Sequence, residues 1–222
     1  MPFVLIALAI ASAAERRWPL RRRTERVLPR FVANATMGSL ALAWNLAFDP
    51  ARRRLAGRSA GVLAGVAEVL LLDYTLWWWH RANHELTPLW RFHSLHHADA
   101  DMDSSTALRF AFGEHVLSSL YRAMQLRLIQ PSQLSYRIWQ SHLIASILYH
   151  HANIRLPERI DGRIARWLVT PRMHGIHHSN VPAHAQSNYA ALLTWWDEVH
   201  DTLRLDVPQE SIEVGAPPGL RR

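Results

Sequence analysis

Residues 80–97 read HRANHELTPLWRFHSLHH and carry five histidines: His80, His84, His93, His96 and His97. Side chains three and four positions apart share a helix face. His80 and His84 therefore point the same way, and so do His93, His96 and His97 as an H-x-x-H-H unit. The same unit returns at His174, His177 and His178 in RMHGIHH. A neutral imidazole offers a lone pair near physiological pH, which makes histidine the commonest transition-metal ligand. One such unit would say little. Two of them plus an H-x-x-x-H, in a chain with 14 histidines and no cysteine, point to a metal centre that the fold must assemble.

The chain has 222 residues, the length of one domain. Absence of cysteine excludes disulfides, thiolate zinc sites and iron–sulfur ligation, and it suits oxygen chemistry, where a spare thiol is a liability. The net charge of +7 comes almost wholly from arginine, with Arg16, Arg17, Arg21, Arg22, Arg23, Arg26 and Arg30 in one run. Such a run is open to a nucleic-acid reading. Beside apolar stretches it reads instead as the basic, cytoplasmic flank of a membrane protein, and no nucleic-acid partner is expected.

Residues 3–14 are apolar but short of the ~20 residues a bilayer span needs. Their positive charge follows rather than precedes them, so an uncleaved anchor or half-span is expected, not a signal peptide. Residues 31–48, FVANATMGSLALAWNLAF, end at Asp49-Pro50. Basic clusters flank both sides (Arg52, Arg53 and Arg54 follow), so a tilted span, a hairpin and an in-plane helix all fit. Residues 60–79 form the clearest span, with Trp77, Trp78 and Trp79 marking its interface end. Asp73 lies two helical turns before His80, on the stripe of Trp77, His80 and His84. An acid in an apolar helix is a functional-site candidate by default. Asp73 is expected to accept a hydrogen bond from the free ring nitrogen of a box histidine, or from Arg172 beside one. The alternative is a structural partner for an arginine elsewhere.

Pro88 is expected to end the helix of the first box, with His93 beginning the next. DADMD at 99–103 reads as an acidic loop, and 106–129 as an apolar helix and further span carrying Arg109, Glu114 and His115. Residues 134–149 deliver His150 and His151. His115, His142 and His184 read as hydrogen-bonded core histidines. From Pro157 to Trp167 the chain is amphipathic, with spaced arginines, and suits a membrane surface; from Pro208 it reads as a disordered tail. The expected organisation is an N-terminal membrane-anchoring segment at 1–59, a catalytic domain at 60–205 and a tail at 206–222. The expected fold is all-α, an integral membrane bundle beneath a histidine-lined cytoplasmic cap. The boxes supply eight histidines, with one or two more from the 150–151 doublet. That exceeds one ion's coordination, so two metals are expected, from iron, copper, zinc or nickel.

The run Asp73-Tyr74, His80-Arg81, His84, Leu89-Trp90-Arg91-Phe92-His93 and His96-His97 resembles the fatty acid hydroxylase and sterol desaturase superfamily of membrane histidine-box di-iron enzymes. His150-His151-Ala152-Asn153-Ile154, Thr170-Pro171-Arg172-Met173-His174, His177-His178-Ser179, Asn188-Tyr189 and Trp196-Asp197 extend the resemblance, in the family's order, over roughly residues 65–205. It implies two iron ions held by His80, His84, His93, His96, His97, His174, His177 and His178. A histidine of the 150–151 doublet completes the set, and the spacing to Asn153 favours His151. It further implies dioxygen as oxidant and hydroxylation or desaturation of a C–H bond in a sterol, fatty acyl or related membrane lipid. Electrons would come from a separate ferredoxin, or a cytochrome with its reductase, because the chain has no flavin, haem or ferredoxin motif. A carotenoid hydroxylase uses similar boxes. A non-catalytic histidine-rich metal-binding or transport protein is the remote alternative. The chain departs from the family at Ala111-Phe112, where a His-Pro pair is usual. It departs again at His200-Asp201-Thr202 in place of Phe-Gly-Thr, where the missing glycine argues against an identical turn.

Overall fold

A computed structural model describes residues 2–48 and 59–217. Helices α1 (Pro2–Arg17), α2 (Val27–Phe48), α3 (Val62–Glu85), α4 (Thr87–His97), α5 (Phe112–Ile129) and α6 (Gln133–His151) come first. Short helices α7 (Glu158–Ile164), α8 (Pro171–His177), α9 (Pro182–Ala185) and α10 (Trp195–Val199) follow, with 3-10 turns at Ser104–Leu108 and Gln209–Ser211. Among the described residues, β pairing is confined to three isolated bridges. The fold is an all-α membrane bundle carrying a histidine-lined cap. The basic triplet at 52–54 lies outside the described residues.

Two described helices, α2 and α3, are long and apolar enough to cross a membrane. Their apolar side chains face outward: Val62 and Leu63 are 85% and 87% exposed, and Leu28, Val32, Leu40 and Leu46 are also exposed. Such a belt is stable only against lipid or a partner. The 31–48 stretch is one unbroken helix, not a hairpin. The span expected at 106–129 is corrected: Ser104–Leu108 form a 3-10 turn, and α5 begins only at Phe112. The Asp103 carboxylate accepts from Ser105 N and Thr106 Oγ1 accepts from Asp103 N, a reciprocal cap that closes the 3-10 turn locally. α5 itself carries Glu114, Arg122 and Arg127, so it is less apolar than α2 or α3.

α3 passes the three tryptophans without a break and reaches Glu85, which keeps His80 and His84 on one rigid element. Leu86 is extended and serves as both the C-cap of α3 and the N-cap of α4. Pro88 therefore starts α4, where its missing N–H is harmless. His93 consequently sits mid-helix, not at a helix start. Leu72, Leu126, Tyr136, Trp139, Leu143 and Leu192 form the core that clamps α3, α5 and α6 together. Trp77, Val169, Met173, Tyr189 and Ala190 form a second core beneath α8.

The acidic loop is not solvated: Asp99, Asp101 and Asp103 are buried. Arg30 of α2 donates to Asp99 Oδ2 at 2.8 Å and also pairs with Asp103. The Asn34 amide donates to Asp99 and to Ser105. Thr24 N and Glu25 N donate to Asp101. Part of the arginine run is thus internal counter-charge rather than membrane flank. The chain beyond Pro208, expected to be disordered, is held at Glu213 and Gly215. Asn180 N donates to Glu213 O and Gly215 N to His178 O, each within about the normal 3 Å. Residues 218–222 lie outside the described part.

Candidate metal centre

Ten histidines converge where the ends of α3, α4, α6 and α8 meet, and nine of them sort into two groups. His80 and His84 of α3, His93 and His97 of α4 and His177 of α8 form the first, with one donor nitrogen of each within 4.8 Å of the others. His96 of α4, His151 of α6, and His174 and His178 of the third box form the second, by the same measure. The groups abut: the His97 and His178 rings stack at 4.3 Å. Each H-x-x-H-H unit is divided. Its outer pair, four apart, serves one group and its middle histidine, about 100° round the helix, serves the other. The first unit gives its pair to the first group, and the second unit gives its pair to the second.

Hydrogen bonds fix the tautomers. A carbonyl can only accept, so the contacting ring nitrogen must carry the proton. His80 Nδ1 donates to Tyr189 O at 2.7 Å, His96 Nδ1 to Arg109 O at 3.1 Å, His151 Nδ1 to Ile147 O at 2.8 Å and His177 Nδ1 to Ser187 O at 2.7 Å. His93 Nδ1 lies 2.9 Å from the buried Glu114 carboxylate. Each Nε2 then turns a bare lone pair inward. His96 Nε2 faces His151 Nε2 at 3.1 Å, and His177 Nε2 faces His80 Nε2 at 3.2 Å. Two lone pairs so placed repel unless a cation lies between them. The spacing suits two nitrogens sharing one transition metal at about 2.0–2.1 Å each.

Burial supports the same fit. Desolvation, reinforced by neighbouring imidazoles, holds His96, His97, His174 and His178 well below the ordinary histidine range. His151 is lowered to about 4 and His177 to about 3, again mainly by desolvation. These rings are neutral at pH 7. Both nitrogens of His84, His97 and His178, and Nε2 of His93, are buried without a hydrogen-bond partner among the described residues. Each such orphan costs about 1–3 kcal/mol unless something takes its lone pair or proton. The donor set therefore fits two metal ions. His150 is buried against His174, with ring centroids 4.0 Å apart, but belongs to neither group.

Asp73 does not touch a box histidine or Arg172. Its carboxylate accepts from the indoles of Trp196 at 2.7 Å and Trp139 at 3.4 Å, and from Leu193 N at 3.2 Å. Asp73 lies two turns down α3 from the boxes, where the facing groups are indoles of α6 and α10. Arg172 pairs with Asp161 at 2.6 Å instead. The carboxylate that does meet a box histidine is Glu114, and the rule that singled out Asp73, an acid in an apolar helix, applies to it equally.

His142 is exposed and bonds Ile138 O, and His184 lies 3.3 Å from Ser179 Oγ; both stand apart from the groups. At the family's Phe-Gly-Thr, His200 stacks on Trp77 at 4.3 Å, replacing one aromatic by another. Asp201 adopts the left-handed conformation, φ 55°, one of the few side chains that tolerates it.

A cavity of ≈ 220 Å³ lies between α3, α5 and α6. His80, His93, His96, His151 and His174 are among its lining residues, so it reaches both groups. Leu76, Trp79, Leu143, Ile147 and Phe110 supply apolar wall, and His115, Ser118, Tyr121 and Arg122 line the α5 side.

Known proteins show related chains. The alkylglycerol monooxygenase of Xenopus tropicalis is 30% identical over 132 residues, 59% of this chain and 28% of that protein. The ornithine lipid hydroxylase OlsE of Rhizobium tropici is 29% identical over 185 residues, 83% of this chain and 53% of that protein. A very-long-chain aldehyde decarbonylase of Oryza sativa subsp. indica is 24% identical over 181 residues, 75% of this chain and 28% of that protein. The chain thus spans from about a quarter to about half of these relatives. No solved structure matches it significantly. The family model described as fatty acid hydroxylase matches residues 65–202, more than half the chain and all ten clustered histidines. The chain belongs to the fatty acid hydroxylase family.

Proposed function

We propose that the chain is a membrane lipid hydroxylase that uses dioxygen and two iron ions held by the nine grouped histidines. The observation that carries this reading is the pair of facing Nε2 contacts beside a largely apolar cavity that His80, His96 and His151 help to line. Bound iron would supply the redox chemistry that dioxygen needs before it can attack an unactivated C–H bond. The chain's own residues do the rest. Backbone carbonyls hold the Nδ1 protons of His80, His96, His151 and His177, which fixes each ring's direction. Glu114 does the same for His93 with a carboxylate. Leu76, Trp79, Leu143 and Ile147 bind an alkyl chain and exclude water, presenting one of its carbons to both histidine groups.

The relatives' names, a monooxygenase and a hydroxylase, support oxygen insertion over desaturation. Arg16, Arg17, Arg22 and Arg26, the exposed part of the arginine run, support a cap on the cytoplasmic side. Electrons come from a separate donor. Purification in detergent, iron analysis and lipid profiling under labelled dioxygen test the reading. Two irons per chain and a lipid gaining one labelled oxygen are expected. A chain that carries metal but leaves every lipid unchanged would be the metal-binding or transport protein instead.

A further inference from the structure

Trp77 is buried on α3 between the first histidine group and the surface. Its indole N–H donates to Asp197 Oδ1 at 2.9 Å. Tyr189 N donates to the same oxygen at 2.9 Å, and the Tyr189 carbonyl accepts the Nδ1 proton of His80 at 2.7 Å. A continuous hydrogen-bonded path therefore runs from a grouped histidine to the indole. The rings follow the same course. Tyr189 lies 5.4 Å from His84 and 5.8 Å from His177, and Trp77 lies 6.0 Å from Tyr189. On its outer side Trp77 stacks on His200 at 4.3 Å and meets the exposed Trp78 at 5.0 Å.

We propose that Trp77 is a one-electron relay between the first histidine group and the surface at Trp78 and His200, a role that rests on the oxygenase reading above. In the step, one electron would leave the indole π system for the metal that the first group would hold, once dioxygen has oxidised it. No bond breaks, the indole proton stays hydrogen-bonded to Asp197, and the external donor later returns one electron. The Asp197 carboxylate stabilises the oxidised, positive indole across a single hydrogen bond, and its burial leaves that attraction unscreened. Arg81 opposes it from 5.5 Å, but that guanidinium is paired with Glu85 and open to solvent, so its field is weakened. Trp90 also touches the histidines, at 5.1 Å from His84, yet its ring contacts run only to His84, His93 and His97 among the described residues. It leads nowhere. Trp139 and Trp196 share Asp73 and have no ring contact with a grouped histidine among the described residues.

The test uses the full chain in detergent, loaded with iron, chemically reduced, mixed with dioxygen without lipid and frozen for electron paramagnetic resonance. A tryptophan radical is expected, narrowed by ring-deuterated tryptophan. It should fall at least tenfold in Trp77→Phe at unchanged iron content and persist in Trp90→Phe. If Trp77→Phe does not fold, Trp90→Phe decides alone: loss of the signal there overturns the relay. Iron that oxidises with no tryptophan signal overturns the relay and leaves the oxygenase standing. A Trp77 signal with no lipid product in parallel assays overturns the oxygenase and, with it, the relay's part in turnover. Iron that dioxygen does not oxidise overturns both.

Discussion

His96 and His151 stand Nε2 to Nε2 at 3.1 Å although each has committed its Nδ1 proton to a backbone carbonyl. The contact joins α4 to α6, 55 residues apart in the chain. His151 Nε2 also lies 3.1 Å from His174 Nε2, so one imidazole faces two others of its group. His151→Ala should therefore empty the second group and remove about half of the bound iron, since a metal held by about four ligands rarely survives the loss of a central one. His150→Ala should leave the iron per chain unchanged. Elemental analysis of the two purified variants separates them, and equal losses would show that the doublet acts as a unit.

Glu114 is the carboxylate that orients a grouped histidine. Glu114→Gln keeps the shape and an acceptor but removes the charge, and should weaken metal binding about 10–100-fold, the usual scale for such supporting groups. Competition against a chelator of known affinity measures it. An unchanged affinity would reduce the 2.9 Å contact with His93 to packing.

Asp73 binds indoles, so its loss should be felt in the fold. Asp73→Asn retains one acceptor oxygen but turns an amide N–H₂ toward a donor, which should cost about 1–3 kcal/mol of stability. Iron per folded chain should stay the same. Thermal unfolding in detergent, run beside iron analysis, would expose the opposite pattern.

Gly175 sits inside the third box, and a Cβ built there would run into the Arg21 guanidinium. Gly175→Ala should displace the guanidinium from Gln209 Oε1, which it contacts at 2.8 Å, and destabilise by about 1–3 kcal/mol, the range for overpacking. In Arg21→Ala the same glycine change should cost much less, so a double-mutant cycle should give strong coupling. Additive losses would mean that the clash is relieved by backbone movement instead.

Whatever depends on short spacing could be read from the residues alone. Four residues make one helical turn, so His80 and His84, His93 and His97, and His174 and His178 had to share faces. The apolar runs had to be helices, and two of them reach the length of a span. The histidines available for a metal centre were likewise readable, because a count needs no coordinates, though not that His150 falls outside both groups. What joins distant segments was decided only in three dimensions. The division of each H-x-x-H-H between two groups depends on the angle at which α4 and α8 approach α3 and α6. The choice of His151 depends on which side of α6 faces α8, since consecutive residues differ by about 100° around a helix. The partners of Asp73 and the burial of Asp99 and Asp103 against Arg30 follow from contacts 65 or more residues apart. Local periodicity fixes a direction around a helix axis, and only packing fixes what stands in that direction.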